Sequence, residues 1–372
     1  MARDEDIRDD PLHPRHSARL SGHEAAEATL RTAVAQGRLH HAWLITGPRG
    51  VGKATLAYRF ARFLLARGEG EPAMALFADE PARAEGLDMA PDHPVFQRVA
   101  AGSEGNLFVL ERGFDPRRGS MRGEIVIDDV RALGRFFAHT AAESGWRVAI
   151  VDSADEMNRS AANALLKILE EPPEQGILLL VAHAPGRLLP TIRSRCRHLA
   201  LRPVADALVD DVLRTARPDL SDEERGTLGA LAEGAPGRAV RLAEEDGVTV
   251  YQSLLGILET MPGLDRAAAH RLASGLSGRT AQERYRIFLE LFLDLLARMV
   301  RSAAMDTSPP DPRLARLRRR LMSALPLDRW VELWEKMGRL TARAEAVHLD
   351  RKQVILSLLT EMDRAARGRP SA

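Results

Sequence analysis

The chain has 372 residues, 45% of them hydrophobic, with 53 Lys plus Arg against 52 Asp plus Glu and a single cysteine. This balance belongs to ordinary globular proteins and excludes a wholly basic DNA-coating protein, while one thiol can neither close an intramolecular disulfide nor build a four-thiolate zinc site. No apolar run approaches the roughly 18 residues needed to span a membrane, and the first ten residues are strongly charged, so a cytoplasmic protein of two or three domains without membrane contact is expected. Only four cations are lysines (Lys53, Lys167, Lys336 and Lys352), leaving 49 arginines.

Residues 1–21, rich in Pro and His, have no sustained apolar period and predict a flexible lead-in. From Gly22 an amphipathic stretch, His23 to Ala35, precedes a short apolar run at Ala42–Thr46. A Gly-rich turn and a helix with Leu56, Phe60, Phe63 and Leu64 on one face come next. Gly68 to Gly105 is rich in Gly, Pro, Ala and acids and reads as an insertion with little core of its own. Apolar runs at Leu107–Leu110, Val148–Val151, Ile177–Ala182 and His198–Leu201 then alternate with helical stretches near Ile127–Ala142 and Arg159–Glu171. Continuous apolar strands separated by helices indicate a parallel sheet covered on both faces. Pro172-Pro173 stops the second of these helices. Beyond Pro203 the pattern is helical: Ser221 with Glu224 is a capping-box signature, and Pro236 suits the first turn of the next helix.

Gly47-Pro48-Arg49-Gly50-Val51-Gly52-Lys53-Ala54 follows a strand and opens a helix, the context a phosphate-binding loop requires. Gly47, Gly50 and Gly52 let the backbone curl so that its N–H groups face phosphate oxygens, and Lys53 supplies a point charge for the outer phosphates. Ala54 stands where a hydroxyl would hold Mg²⁺, and Thr55 points about 100° away around the helix. The next apolar strand ends in Asp152, the position of a metal-holding acid, but Ser153 follows where a water-polarising Glu is expected. Asp155 and Glu156, beyond the strand end, are either a solvated acidic turn or acids that reach the same point. His183, after the strand Ile177–Val181, is either a substitute donor to the outer phosphate or a surface-loop histidine. ATP or ADP is therefore expected at a degenerate loop, with Mg²⁺ in doubt and hydrolysis slow or absent.

Four segments match a known family in order and spacing. These are His40-His41-Ala42-Trp43-Leu44 with its phosphate loop, the Asp152 strand, Asn163-Ala164-Leu165-Leu166-Lys167-Ile168-Leu169-Glu170-Glu171-Pro172-Pro173, and Ser194-Arg195-Cys196. Over Gly22 to Leu201 the chain resembles the delta prime family of bacterial DNA polymerase III clamp-loader subunits, of the AAA+ superfamily. The resemblance implies an α/β AAA+ P-loop domain over 22–203, a helical lid over 204–246 and an all-α collar domain for oligomerisation over 247–372. It implies delta and gamma/tau type subunits and the sliding clamp as partners, with primer-template DNA reached through the assembly. It makes Arg195 an arginine finger acting in trans on a neighbouring ATP site, and Arg238 a nucleotide-sensing lid residue. It also brings out an absence, since the four-cysteine zinc module of many clamp-loader ATPases is missing here. The competing function is an active AAA+ ATPase, either the loader's motor subunit or a branch-migration motor; Ala54, Ser153 and Ala182 to Ala184 argue against it.

Several features stay open. Ile287, Phe288, Leu291, Phe292, Leu295 and Leu296, and likewise Trp330, Leu333, Trp334 and Met337, are either intradomain core or collar surface. Arg313, Arg316, Arg318, Arg319 and Arg320 read as a solvated helix face rather than a DNA contact, since no aromatics interleave them. His13, His16, His23, His40 and His41 lack the spacing of a metal site, and none is assigned. Cys196 beside His198 is no nucleophile, because strand neighbours point to opposite faces.

Overall fold

A computed structural model describes residues 13–68, 86–115, 120–138, 145–307, 311–347 and 349–369. Most of the lead-in and residues 69–85 of the expected insertion lie outside them. The chain divides into two compact units, Met1–Pro218 with Gly229–Ala239, and Asp219–Leu228 with Val240–Ala372. The division passes within two helices, α8 (Asp222–Ala232) and α9 (Pro236–Glu244), which follow α7 (Asp206–Ala216) in the chain.

The first unit is built on five parallel strands: β1 (Ala42–Thr46), β2 (Leu107–Leu110), β5 (Arg147–Val151), β6 (Gly176–Ala182) and β7 (Arg197–Ala200), in the order β2-β5-β6-β1-β7. A two-stranded hairpin, β3 (Phe114–Asp115) with β4 (Ser120–Met121), lies between β2 and β5 in the chain. The continuous apolar runs are explained by burial on both faces. Trp43, Ile45, Ile150, Leu179 and Val181 face one way, into a core shared with α1 (Glu24–Ala35) and α2 (Lys53–Gly68). Leu44, Ala149, Val151, Leu178 and Leu180 face the other, packing on α4 (Ile127–Ala138) and α5 (Arg159–Glu170). Asn158 caps α5 by accepting from the Ala161 N–H at 2.9 Å. The register pairs Thr46 with Ala182 and Val151 with Leu180, so β1, β5 and β6 end along one edge. Ligands of open α/β sheets gather at that carboxyl edge.

Two regions depart from the sequence expectation. The stretch read as coreless contains α3 (Pro94–Ala100), whose Val95, Phe96 and Val99 are buried with Leu87 against α2. Pro94 sits at its first turn, where its missing N–H costs nothing. Residues 13–21 are tied down as well. Arg62 donates to the carbonyls of Arg15 (2.8 Å) and Ser17 (2.6 Å), and Arg59 to that of Ala18. Both arginines are almost fully buried, and Arg59 also pairs with Glu27 and Asp88, each at 2.8 Å. A pattern of Pro and His gives no sign of a segment recognised through its backbone.

The second unit is helical: α10 (Gly247–Leu258), α11 (Arg266–Leu276), α12 (Gln282–Ala304), α13 (Pro312–Met322), α14 (Leu327–Ala346) and α15 (Arg351–Ala366). The wide apolar band of α12 is core, with Ile287, Phe288, Leu291, Phe292, Leu295 and Leu296 all buried. The α14 band is divided: Trp330, Leu333 and Met337 are buried, while Trp334 is 40% exposed beside Val331. The basic run is not a uniformly solvated face either. Arg313 holds Glu259 through two bonds (3.0 and 2.9 Å), and Arg318 and Arg320 donate to the carbonyls of Ser302 and Leu258. Ser221 and Glu224 form the reciprocal capping box, Glu224 accepting from the Ser221 N–H at 2.9 Å. Among the described residues, no helix is long and apolar enough to cross a membrane, and no group of three or more His, Cys, Asp or Glu could hold a metal ion.

The phosphate loop and the Ser-Arg-Cys turn

Residues 47–52 connect β1 to α2 at the carboxyl edge of the sheet, with Lys53 as the first residue of the helix. Gly47, Gly50 and Gly52 all take positive φ (147°, 79° and 108°). At Gly47 a Cβ would meet the Leu201 carbonyl at 2.5 Å, and at Gly50 it would run into the backbone of Arg238. Glycine is therefore imposed by both conformation and space. The Lys53 ammonium donates to the carbonyls of Gly47 (2.7 Å) and Pro48 (2.6 Å), holding the loop curled. Burial lowers its pKa to about 8, against the opposing pull of Asp152 and Asp155. Curl, ammonium and helix N-terminus together fit a phosphate group.

The loop is braced from two sides. Nε2 of His23, from the segment preceding α1, donates to the Val51 carbonyl at 2.8 Å. The Gly237 N–H, at the start of the helix Pro236–Glu244, donates to the Gly50 carbonyl at 2.8 Å. This brings the backbone of Arg238, in the first turn of that helix, against the loop.

The metal half of the site is less suited to its task. Ala54 offers no oxygen, and the half-buried Thr55 lies one residue further around α2. Asp152 directly follows β5, and burial raises its pKa, so the carboxylate is disfavoured where a cation would need it. The residues present thus fit phosphate better than magnesium. Ser153 adopts left-handed backbone angles (φ 60°, ψ 50°), uncommon for a non-glycine residue and of the kind that gathers at functional sites. Its Oγ lies 3.2 Å from His183 Nε2.

The neighbouring acids are not solvated. Asp155 is 9% exposed and its carboxylate accepts the N–H groups of His183 (3.0 Å) and Ala184 (2.9 Å), fixing the end of β6. Glu156 pairs with Arg49 of the loop (3.2 Å) and with Arg112 (2.8 Å). An acid within four residues of a strand end can reach the next strand's terminus, and Asp155 stands at that spacing in the sequence. His183 is half-buried rather than a loop-surface residue, and burial, with Lys53 and Arg49 nearby, lowers its pKa to about 4. It faces the site as a neutral imidazole.

Arg195 lies elsewhere in the unit, in the turn between α6 (Pro190–Ser194) and β7. Ile192 and Cys196, on either side of it, are buried in the core that contains Leu165 and Leu169 of α5. Burial pushes the Cys196 thiol up to about 12, so this cysteine is packing material and not a nucleophile. Arg195 itself points outward, bonded to the Thr191 carbonyl (3.1 Å) and to Glu170 at the end of α5 (2.8 Å). The residues that follow are engaged too: Arg197 lies over the Trp43 ring at 5.0 Å, and His198 donates to the Arg193 carbonyl at 2.9 Å.

The model of the family described as DNA polymerase III, delta subunit, matches residues 22–205, the span of the sheet and loop. The delta' subunit of DNA polymerase III from Yersinia pestis is 31% identical over 265 residues, covering 70% of this chain and 71% of that protein. The chain belongs to the delta prime family. The corresponding protein of Pseudomonas aeruginosa is 39% identical over 202 residues, 54% of this chain and 55% of that protein. The gamma/tau subunit of Mycobacterium tuberculosis is 34% identical over 189 residues, 51% of this chain and 29% of that protein. The match thus spans about half the length of the Pseudomonas relative. Membership in the delta prime family agrees with the α/β AAA+ P-loop class expected from the sequence, and the parallel sheet and its loop are of that class.

Proposed function

We propose that the chain is a non-hydrolysing, regulatory subunit of a DNA polymerase III clamp loader. In this reading it binds delta and gamma/tau type subunits and lends Arg195 to the ATP site of a neighbour while the sliding clamp is placed on primer-template DNA. The observation that carries it is the contrast within one unit: the chain's own site lacks a metal-holding hydroxyl at Ala54 and a water-polarising acid at Ser153, whereas Arg195 is held outward on a rigid turn. A guanidinium keeps its charge and presents planar donors that match phosphoryl oxygens. Supplied in trans, such a group is worth about 10³ to 10⁵ in rate. The loop at Gly47 to Lys53 would hold the phosphates of ATP or ADP, with Arg238 at its rim, as a structural ligand site. Val331 and Trp334 on α14 belong to the collar surface in this reading.

The test is reconstitution of the loader with Arg195→Ala. Single-turnover hydrolysis at the neighbouring site should fall by about 10³ or more while assembly is intact. Unchanged hydrolysis would remove the finger. Turnover of ATP by the isolated chain at motor-like rates would instead favour an active AAA+ ATPase.

A further inference from the structure

The mutual placement of Arg195 and Glu170 has a consequence for how a finger is presented. Both residues rise from packed ground. Arg195 is flanked by the buried Ile192 and Cys196, and Glu170 follows the buried Leu169, all within one core cluster. Their backbones are therefore fixed relative to one another. The side chains stand in solvent, 38% exposed for Arg195 and 51% for Glu170, with Nη2 2.8 Å from Oε1. Nη1 donates to the Thr191 carbonyl at 3.1 Å, so the guanidinium is held at two of its nitrogens by two separate elements. Glu170 is also the last residue of α5, where the helix carbonyls add partial negative charge.

A free arginine side chain samples many rotamers and loses that freedom when it engages a phosphate. An arginine already held in one direction loses less, which is the benefit of a preorganised donor. A guanidinium has five N–H groups, and the two bonds described here leave others for an incoming anion. A bond between exposed partners is weak enough to yield when a phosphoryl group arrives.

We propose that Glu170 is a positioning residue for Arg195, holding the guanidinium in the direction from which it engages the phosphate of a nucleotide bound by the adjacent subunit. This rests on the finger reading of Arg195. In this role Glu170 acts through Arg195, so its effect belongs in turnover rather than in ATP affinity.

A double-mutant cycle in the reconstituted loader, built from full-length chains and read by single-turnover ATP hydrolysis on primed DNA, tests this. Glu170→Lys reverses the charge beside the guanidinium and should lower kcat about tenfold, with KM for ATP unchanged within about twofold. Glu170→Gln keeps an acceptor oxygen without the charge and should retain about half of the wild-type rate. In the Arg195→Ala background, Glu170→Lys should add nothing. A wild-type kcat for Glu170→Lys while Arg195→Ala abolishes hydrolysis would overturn the positioning role and leave the finger standing. A further tenfold loss in the Arg195→Ala background would overturn it too, by showing an effect independent of Arg195. If Arg195→Ala itself leaves hydrolysis unchanged, the finger reading fails first.

Discussion

Lys53 and Arg195 are both cations at element ends in the same α/β unit. Lys53 is 2% exposed, bonded to two carbonyls of its own loop, and its pKa is lowered to about 8 by burial. Arg195 has a side chain 38% exposed, held by one carboxylate and one carbonyl. Around Lys53 the neighbouring acids are already engaged, Asp155 by the end of β6 and Glu156 by Arg49 and Arg112, while the buried Nδ1 of His183 has no hydrogen-bond partner among the described residues. A site whose acids are held from within can bind and brace; a cation placed outside the sheet can act on something else. The difference teaches that position in the network, more than residue type, separates an inward from an outward role.

That contrast can be broken or sharpened by stability measurements. Asp155→Ala leaves two half-buried N–H groups without acceptors at the end of β6 and should cost about 2 kcal/mol in urea denaturation. A cost under about 1 kcal/mol would mean that the edge is not internally satisfied. Cys196→Ser puts a hydroxyl into an apolar cluster and should cost about 2 kcal/mol, more than Cys196→Ala, while the native thiol resists alkylation at pH 8 until the chain unfolds. His183 has a folded pKa of about 4, below its ordinary value, so the unfolded chain takes up the proton first. Stability should therefore fall as pH drops from about 6.5 to about 4, by about 1 kcal/mol after allowance for solvent screening. His183→Gln should flatten that part of the pH profile, and an unaltered slope would assign the acid sensitivity to other groups. Arg195→Ala should change stability by less than about 0.5 kcal/mol, because Glu170, its ionic partner among the described residues, is itself exposed. A larger loss would place Arg195 among the structural residues and weaken its outward role.

Much of this was legible beforehand, for reasons that particular residues make clear. The strands at Val148–Val151 and Ile177–Ala182 announced themselves because burial on both faces demands unbroken apolar runs, and they are observed within a residue of those bounds. The loop was legible because Gly47, Gly50 and Gly52 occupy positions where a Cβ clashes. Asp155 was not, because its role depends on which strand end lies opposite, and that is set by the sheet order β5-β6. His183 was left between two readings, since the sequence cannot say whether a loop histidine is half-buried. The helix Pro94–Ala100 escaped because its seven residues offer less than two full periods. Glu170 was read only as part of a helix stop, and its partner lies 25 residues further along the chain.

The grip of Arg59 and Arg62 on residues 15–18 has one more consequence. These arginines read carbonyl oxygens, which every amino acid supplies, so the path at Ser17 and Ala18 is specified without regard to their side chains, whereas Arg15 is also buried and bonded to His13 through its own side chain. Replacing the side chains of Ser17 or Ala18 should therefore be nearly silent, whereas exchanging the far-off Arg62 should release a stretch more than forty residues away. In this corner of the protein the information for a segment's shape is stored in another segment's side chains.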